Sequence, residues 1–362
     1  VAARHVRGQG FSDSVARRIT RGGLRSSSIA LYSSRWNIFS SWCAEREIHP
    51  WSPSVSVIAD FLLFQWEVLG KASRTVEGFR TAISSTLSHV LGKRIGEDPF
   101  LSALVASFYT DRPAARQVLP RWDLSLVLRM LQRRPFECLE DPRQVDLKLW
   151  AWKTCFLLML ASGARRSEIH ALAIDRIQWS PDRTQVTLRP FLGFLAKTHV
   201  ARDPQTAFTG FTIRAMDPAL RPESRAVCPV RALDWYIRRT RDHRSESSRE
   251  GGHAPLFISV RRPYKCIDRN TVSAWIRQLI VKALEMADEE QQALCPSSPK
   301  AHEVRALHAS WKALKNVATV DILRACRWRS PNTFTRHYLR DLRVLEEGLH
   351  AFAGLEGSLA QP

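Results

Sequence analysis

An arginine after a small-residue turn, a lysine, a His-x-x-Arg and a late tyrosine stand in the second half of the sequence, in an order that suits phosphoryl transfer. They are Arg165 in Ser162-Gly163-Ala164-Arg165-Arg166-Ser167-Glu168-Ile169, then Lys197, then His302 and Arg305, then Trp328 and Tyr338. Two arginines and a lysine can hold a phosphodiester while a tyrosine hydroxyl attacks it, and a histidine can move the protons. Such a set is suited to cutting and rejoining DNA strands.

Each residue carries a local expectation. Ser162-Gly163 interrupts an apolar helix, and a new helix can start there with Arg165, Ile169 and Leu172 on one face, while Arg166 and His170 point elsewhere. An arginine in a first helical turn opposes the helix dipole and needs an anion; Glu168, one turn along, can orient it by a charge-assisted pair. An ordinary surface ion pair fits the same spacing. His302 and Arg305 are three apart on a helix whose apolar face is Val304, Leu307 and Trp311, so both are expected to project from the polar side. Three His-x-x-Arg occur, and only this one has its own helix, lies between Arg165 and Tyr338, and leaves a tyrosine downstream; by itself it also fits a solvated polar face. Lys197 lies between two predicted strands. A lysine can give up a proton at a tuned pKa, which an arginine cannot, although a solubilising turn lysine has the same appearance. Tyr338, flanked by Arg336 and Arg340, would have its phenolate stabilised by cations, which helps a group of intrinsic pKa about 10 to act as a nucleophile. Trp328 can offer its indole N–H to a phosphate oxygen, pack beneath the tyrosine, or fill a core.

The elements that must position these residues follow from composition and periodicity. A chain of 362 residues that is 44% apolar can fill two domain cores. Its longest apolar run, 155–161, is too short to cross a bilayer, and no signal segment opens the chain, so membrane and secreted readings fall away. The formal charge is +19, split +6 over residues 1–120 and +13 over the rest, which favours a polyanionic partner that both domains can contact. Seven cysteines are scattered without zinc-like spacing; they read as free thiols, and no metal or cofactor site is expected.

Residues 24–110 predict a helical bundle. Ile29, Tyr32, Trp36, Phe39 and Cys43 recur at helix spacing, as do Val76, Phe79, Ile83, Leu87 and Val90, with further helices over 57–68 and 99–109. Residues 111–121, with prolines towards both ends, predict a linker, and 122–350 a second domain. There, helices are expected at 124–131 and 145–161, extended segments at 174–179, 185–189 and 211–215, an exposed loop at 238–252, then helices at 270–286, 302–314, 320–326 and 333–349. The fold class is mainly α with a small antiparallel β-sheet.

Taken together, the arginine box at Ser162–Ile169, Lys197, His302-Glu303-Val304-Arg305, Trp328 and Tyr338 resemble the tyrosine recombinase (phage-integrase) family over about residues 24–349. Phe194-Leu195-Ala196-Lys197-Thr198, Cys228-Pro229-Val230-Arg231-Ala232-Leu233 and Trp328-Arg329-Ser330-Pro331-Asn332-Thr333-Phe334 look like the recombinases of DIRS-type retrotransposons. The resemblance implies a helical core-binding (SAM-like) domain at 24–110 and an α+β catalytic domain at 122–350. It implies that Arg165 and Arg305 bind the non-bridging oxygens of the scissile phosphate and that Glu168 supports Arg165. His302 would assist proton transfer, Lys197 would protonate the leaving 5′ oxygen, Trp328 would fill a position often held by a second histidine, and Tyr338 would form a 3′-phosphotyrosine link. The implied enzyme is a site-specific recombinase or integrase of double-stranded DNA without metal or nucleotide cofactor. It would assemble four protomers on two DNA sites, without a membrane partner, and act in the nucleus. Two rival readings are a type IB topoisomerase-like relaxing enzyme and a catalytically inactive DNA-binding protein derived from a mobile element.

Overall fold

A computed structural model describes residues 2–92, 94–113, 122–200, 203–216, 222–244, 252–287 and 299–328. Two compact units divide between Arg116 and Gln117. The predicted helix at 333–349, and Tyr338 within it, lie outside the described residues, as does most of the predicted linker.

The first unit is helical among the described residues: α1 (Ala2–Gly8), α2 (Asp13–Arg21), α3 (Ser26–Ala44), α4 (Val55–Glu67), α5 (Ser73–Leu91) and α6 (Pro99–Asp111). The long helices follow from their apolar stripes: Trp36, Phe39 and Cys43 of α3 face Ile58, Phe61 and Leu62 of α4 and Val76, Phe79, Ile83 and Leu87 of α5 in one core. Phe61 joins the layers edge-on, 5.1 Å from Phe39 and 5.5 Å from Phe79 between ring centroids. The starts are chemically set. Ser54 Oγ accepts from Val57 N, and Asp98 accepts from Phe100 N ahead of Pro99 at the first helical position.

The second unit is built around α8 (Leu147–Ser162), whose residues from Trp150 to Ser162 are all buried. Asp146 opens this helix by accepting from Lys148 N and Leu149 N. Packed around it are α11 (Pro229–Thr240) and α12 (Arg269–Glu285), and also α13 (Ala301–Leu314); α7 (Leu124–Leu131) packs on α12. Lys153 is buried on α8, donating to the carbonyl of Leu131 and to Glu137, which also takes both terminal nitrogens of Arg231. A short α9 (Arg166–His170) follows α8, and α14 (Thr319–Cys326) follows α13; α10 (Pro222–Ala226) precedes α11.

The sheet is antiparallel, in the order β1 (Gln178–Trp179), β2 (Gln185–Leu188), β3 (Phe211–Arg214). Val186 pairs with Ile213 and Thr187 with Thr212. Alternation puts Val186, Leu188 and Ile213 in the core, while Thr187 and Thr212 share a hydrogen bond on the other face.

Two expectations are corrected. Residues 174–179 are only partly extended, because Ile174–Arg176 form a 3-10 turn before β1. Residues 238–252 are not wholly a loop: α11 runs through Thr240 and a 3-10 turn through His243, because Val230, Leu233, Tyr236 and Thr240 keep a buried stripe that outweighs the charged composition. No helix among the described residues is long and apolar enough to cross a membrane.

Candidate active site

The site begins where α8 stops. Gly163 adopts the left-handed conformation (φ 58°) that ends the helix, and a β-carbon there would lie 2.5 Å from Cδ2 of the buried His308. The chain emerges at Arg165, which caps α9 in extended conformation instead of lying within its first turn as the sequence suggests. Glu168, three residues on, turns back. Its Oε2 accepts from the Arg165 backbone N–H and its Oε1 from Arg165 Nη1, each at 2.8 Å.

Glu168 is fully buried, and a second guanidinium reaches it: Arg327 Nη2 lies 2.8 Å from Oε2. Burial alone would raise the carboxyl pKa, but the charges of Arg327 and Arg165 and the Arg165 N–H hold it below its ordinary value. The carboxylate is therefore ionised, with both oxygens engaged by cations. The Arg165 and Arg327 side chains remain partly open to solvent, at 14% and 20%.

Arg305 comes to the same place from α13, but not as the polar-face residue expected. It is fully buried, because α13 is surrounded from Val304 to Lys312. Nη1 donates to the carbonyl of Gly163 and Nη2 to that of Cys326, tying the α8–α9 turn to the end of α14. The Trp328 ring covers its guanidinium, 4.9 Å from Cζ to the ring centroid, and is itself nearly buried among Ala306, Ala309, Ile322 and Cys326. Burial lowers the Arg305 pKa, and Arg165 and Arg327 add to that effect, yet a guanidinium stays charged. Three guanidinium groups thus surround one carboxylate.

His302 is exposed on the first turn of α13, one turn before Arg305. That turn is anchored by Glu303, whose Oε2 accepts from Lys300 N and from Trp122 Nε1, both at 2.9 Å. Lys197 is exposed in the segment joining β2 to β3, beside a turn in which His199 N donates to the carbonyl of Ala196. This segment is linked to the arginine cluster through aromatic rings: Phe194 meets Phe208 edge-on, and Phe208 lies 4.5 Å below the Arg327 guanidinium. The structure therefore brings Arg165, Glu168, Arg305 and Trp328 together and ties the Lys197 segment to them. Tyr338 lies outside the described residues.

Arg327, Phe208 and His308 were not singled out from the sequence. For Arg327 the available signal is its place next to Trp328 after an apolar helix; for His308 it is its position three residues after Arg305 on the same helix. Burial lowers the His308 pKa to about 3, and its Nδ1–H donates to the carbonyl of Leu160 at 2.8 Å. It is therefore neutral and adds no charge. Chemically, the cluster can bind an oxyanion and stabilise negative charge that grows during reaction.

Neither a family model nor a curated protein matches this sequence. Solved structures do. The Tn1549 transposon integrase in complex with transposon right end DNA aligns with a TM-score of 0.56 and 11% identity, covering 94% of this chain and 98% of that one. The XerH site-specific recombinase bound to difH substrate, a pre-cleavage complex, aligns at 0.53 and 13%, covering 92% and 81%. A dimer of lambda integrase residues 75–356 bound to a COC′ core site aligns at 0.52 and 16%, covering 91% and 94%. At these identities the likeness concerns architecture, and on that ground the chain has the mainly helical fold with a small antiparallel sheet of the tyrosine recombinases.

Proposed function

We propose that this protein is a site-specific DNA recombinase that cuts and rejoins double-stranded DNA through a 3′-phosphotyrosine intermediate and integrates a mobile element. The observation that carries this reading is the Glu168-held Arg165 beside the buried Arg305 at the α8–α9 turn. The same fold in solved structures is bound to DNA, and the formal charge of +19 suits a DNA partner.

In the proposed reaction the Tyr338 hydroxyl attacks the scissile phosphorus. The tyrosine oxygen–phosphorus bond forms, the phosphorus–O5′ bond breaks, and the 5′ oxygen takes a proton from Lys197. His302 receives and returns the tyrosine proton. Arg165 holds a non-bridging oxygen, and Glu168 keeps its guanidinium in register. Arg305 supplies charge from behind and fixes both walls of the site; direct contact with phosphate would require it to exchange one of its carbonyl partners. Trp328 covers Arg305 and shields it from water. Religation runs the steps in reverse with a new 5′ hydroxyl.

We place this reaction in a tetramer spanning two DNA sites, within the nucleus and in an element of the DIRS type, on the resemblance of the Phe194–Thr198, Cys228–Leu233 and Trp328–Phe334 segments. The test is a nicked suicide duplex carrying the element's terminal sequence. The wild-type protein is expected to run attached to DNA on a denaturing gel, and Tyr338→Phe to bind the duplex without attachment. An adduct that persists in the variant moves the nucleophile elsewhere. DNA binding by the wild type without nicking or attachment would leave only a binding protein, and relaxation without exchange between two marked sites would leave a topoisomerase.

A further inference from the structure

Arg327 is held in a backbone conformation that glycine favours and arginine rarely adopts, with φ 53° and ψ 49° at the end of α14. The turn is closed by Arg327 N donating to Arg324 O and Trp328 N to Leu323 O. It sends the Arg327 side chain away from α14 to Glu168, while the next residue covers Arg305. A glycine would close the same turn without strain, so the helix end alone does not call for a guanidinium here.

What the guanidinium does reach is chemically specific. Nη2 bonds the Glu168 oxygen opposite the one that Arg165 Nη1 bonds, so the two arginines bracket a single buried carboxylate. Phe208 forms a floor 4.5 Å below it, and its buried Nε has no hydrogen-bond partner among the described residues. With Arg305 behind, the cluster holds three positive charges against one negative, an excess that a bound oxyanion offsets. Arg165 and Arg327 are the members of this trio with solvent-facing surface, whereas Arg305 has none.

We propose that Arg327 is a further phosphate-contacting residue of this site, gripping the same phosphodiester as Arg165 across the shared Glu168. As a role in DNA cleavage this rests on the recombinase reading; as a phosphate site it stands on the cluster alone.

Two measurements separate these. The first is calorimetric titration of the full chain with inorganic phosphate, for wild type, Arg327→Gly, Arg327→Lys and, as a control, the exposed Arg324→Ala. Glycine suits the backbone but leaves the buried Glu168 to pair with Arg165 alone among the described residues, so Arg327→Gly is expected to melt somewhat lower than wild type yet stay folded at the titration temperature, while binding phosphate at least about fivefold more weakly; Arg327→Lys should recover part of the loss and Arg324→Ala should match wild type. Equal phosphate affinity in wild type and Arg327→Gly, or no phosphate binding by the wild type, overturns the proposal. The second is the rate of covalent attachment to the nicked duplex, expected to fall about tenfold or more in Arg327→Gly with duplex affinity little changed. An unchanged attachment rate overturns the proposal while leaving the recombinase reading intact. Phosphate binding through Arg327 by a wild type that attaches to no DNA defeats the recombinase reading and leaves the phosphate site standing.

Discussion

Gly163 and His308 meet so closely that a β-carbon on the glycine would stand 2.5 Å from the imidazole Cδ2. The contact joins the end of α8 to the middle of α13, the two elements that deliver Arg165 and Arg305. Gly163→Ala combines a left-handed backbone with an overpacked core and is expected to cost roughly 2–4 kcal/mol. Gly193→Ala, at φ 82° with nothing within 4 Å of the added carbon, should cost only the backbone part, about 1 kcal/mol. Urea denaturation of both variants checks the difference; equal losses would mean that the imidazole gives way.

His308 makes stability depend on pH in a defined direction. Its folded pKa is depressed to about 3, so the unfolded chain binds the proton first as pH falls. Its contribution is complete above the free histidine value of about 6.5 and declines as pH drops towards 3, by up to about 1.4 kcal/mol per pH unit. Denaturation midpoints at pH 7 and pH 5 should therefore differ in the wild type and differ less in His308→Asn. Equal differences in the two proteins would show that other groups set the slope.

Glu168→Gln keeps the shape of the side chain and removes the charge that Arg165 and Arg327 share. Breaking a buried ion pair on one side leaves the partners uncompensated, so a loss of about 3 kcal/mol or more is expected. The folded pKa of Glu168 lies below its ordinary value. Its stabilising charge is present above about pH 4.3 and is lost as pH falls through the folded pKa, a more acidic window than that of His308. The Gln variant should lack that acid limb in a stability profile measured from pH 5 downwards.

The same geometry explains what was legible in the sequence. Trp36, Phe39 and Cys43, or Val186 and Leu188, announce their elements because their periodicity is the burial pattern itself. The Arg165–Glu168 pair was legible because a three-residue spacing at a helix start brings the two together, here through the capping of Arg165 N–H by Glu168. Arg305 was legible as a candidate but its burial was not, and Lys153 gave no signal at all, since each is a cation on a buried stretch of helix and is satisfied largely by backbone carbonyls from other elements, which no side-chain pattern marks. Arg327 escaped for a different reason: its reach to Glu168 depends on a left-handed turn usually signalled by glycine. Residues 2–21 fold into α1 and α2 although such short, arginine-rich stretches hold few apolar residues.

Lys197 is proposed as the acid on its chemistry; it is exposed, and its segment is tied to the arginine cluster through Phe194 and Phe208. In the proposed reaction it protonates the departing 5′ oxygen, so Lys197→Ala should slow attachment to the nicked duplex by about 10²–10⁴-fold. A duplex with sulfur in place of the bridging 5′ oxygen needs no such proton, because a thiolate leaves readily near a pKa of about 8.5 whereas an alkoxide does not. That substrate should restore Lys197→Ala to near the wild-type rate and leave Arg165→Ala slow, since Arg165 acts on the non-bridging oxygens. Rescue of both variants alike, or of neither, would remove the lysine from the role of acid.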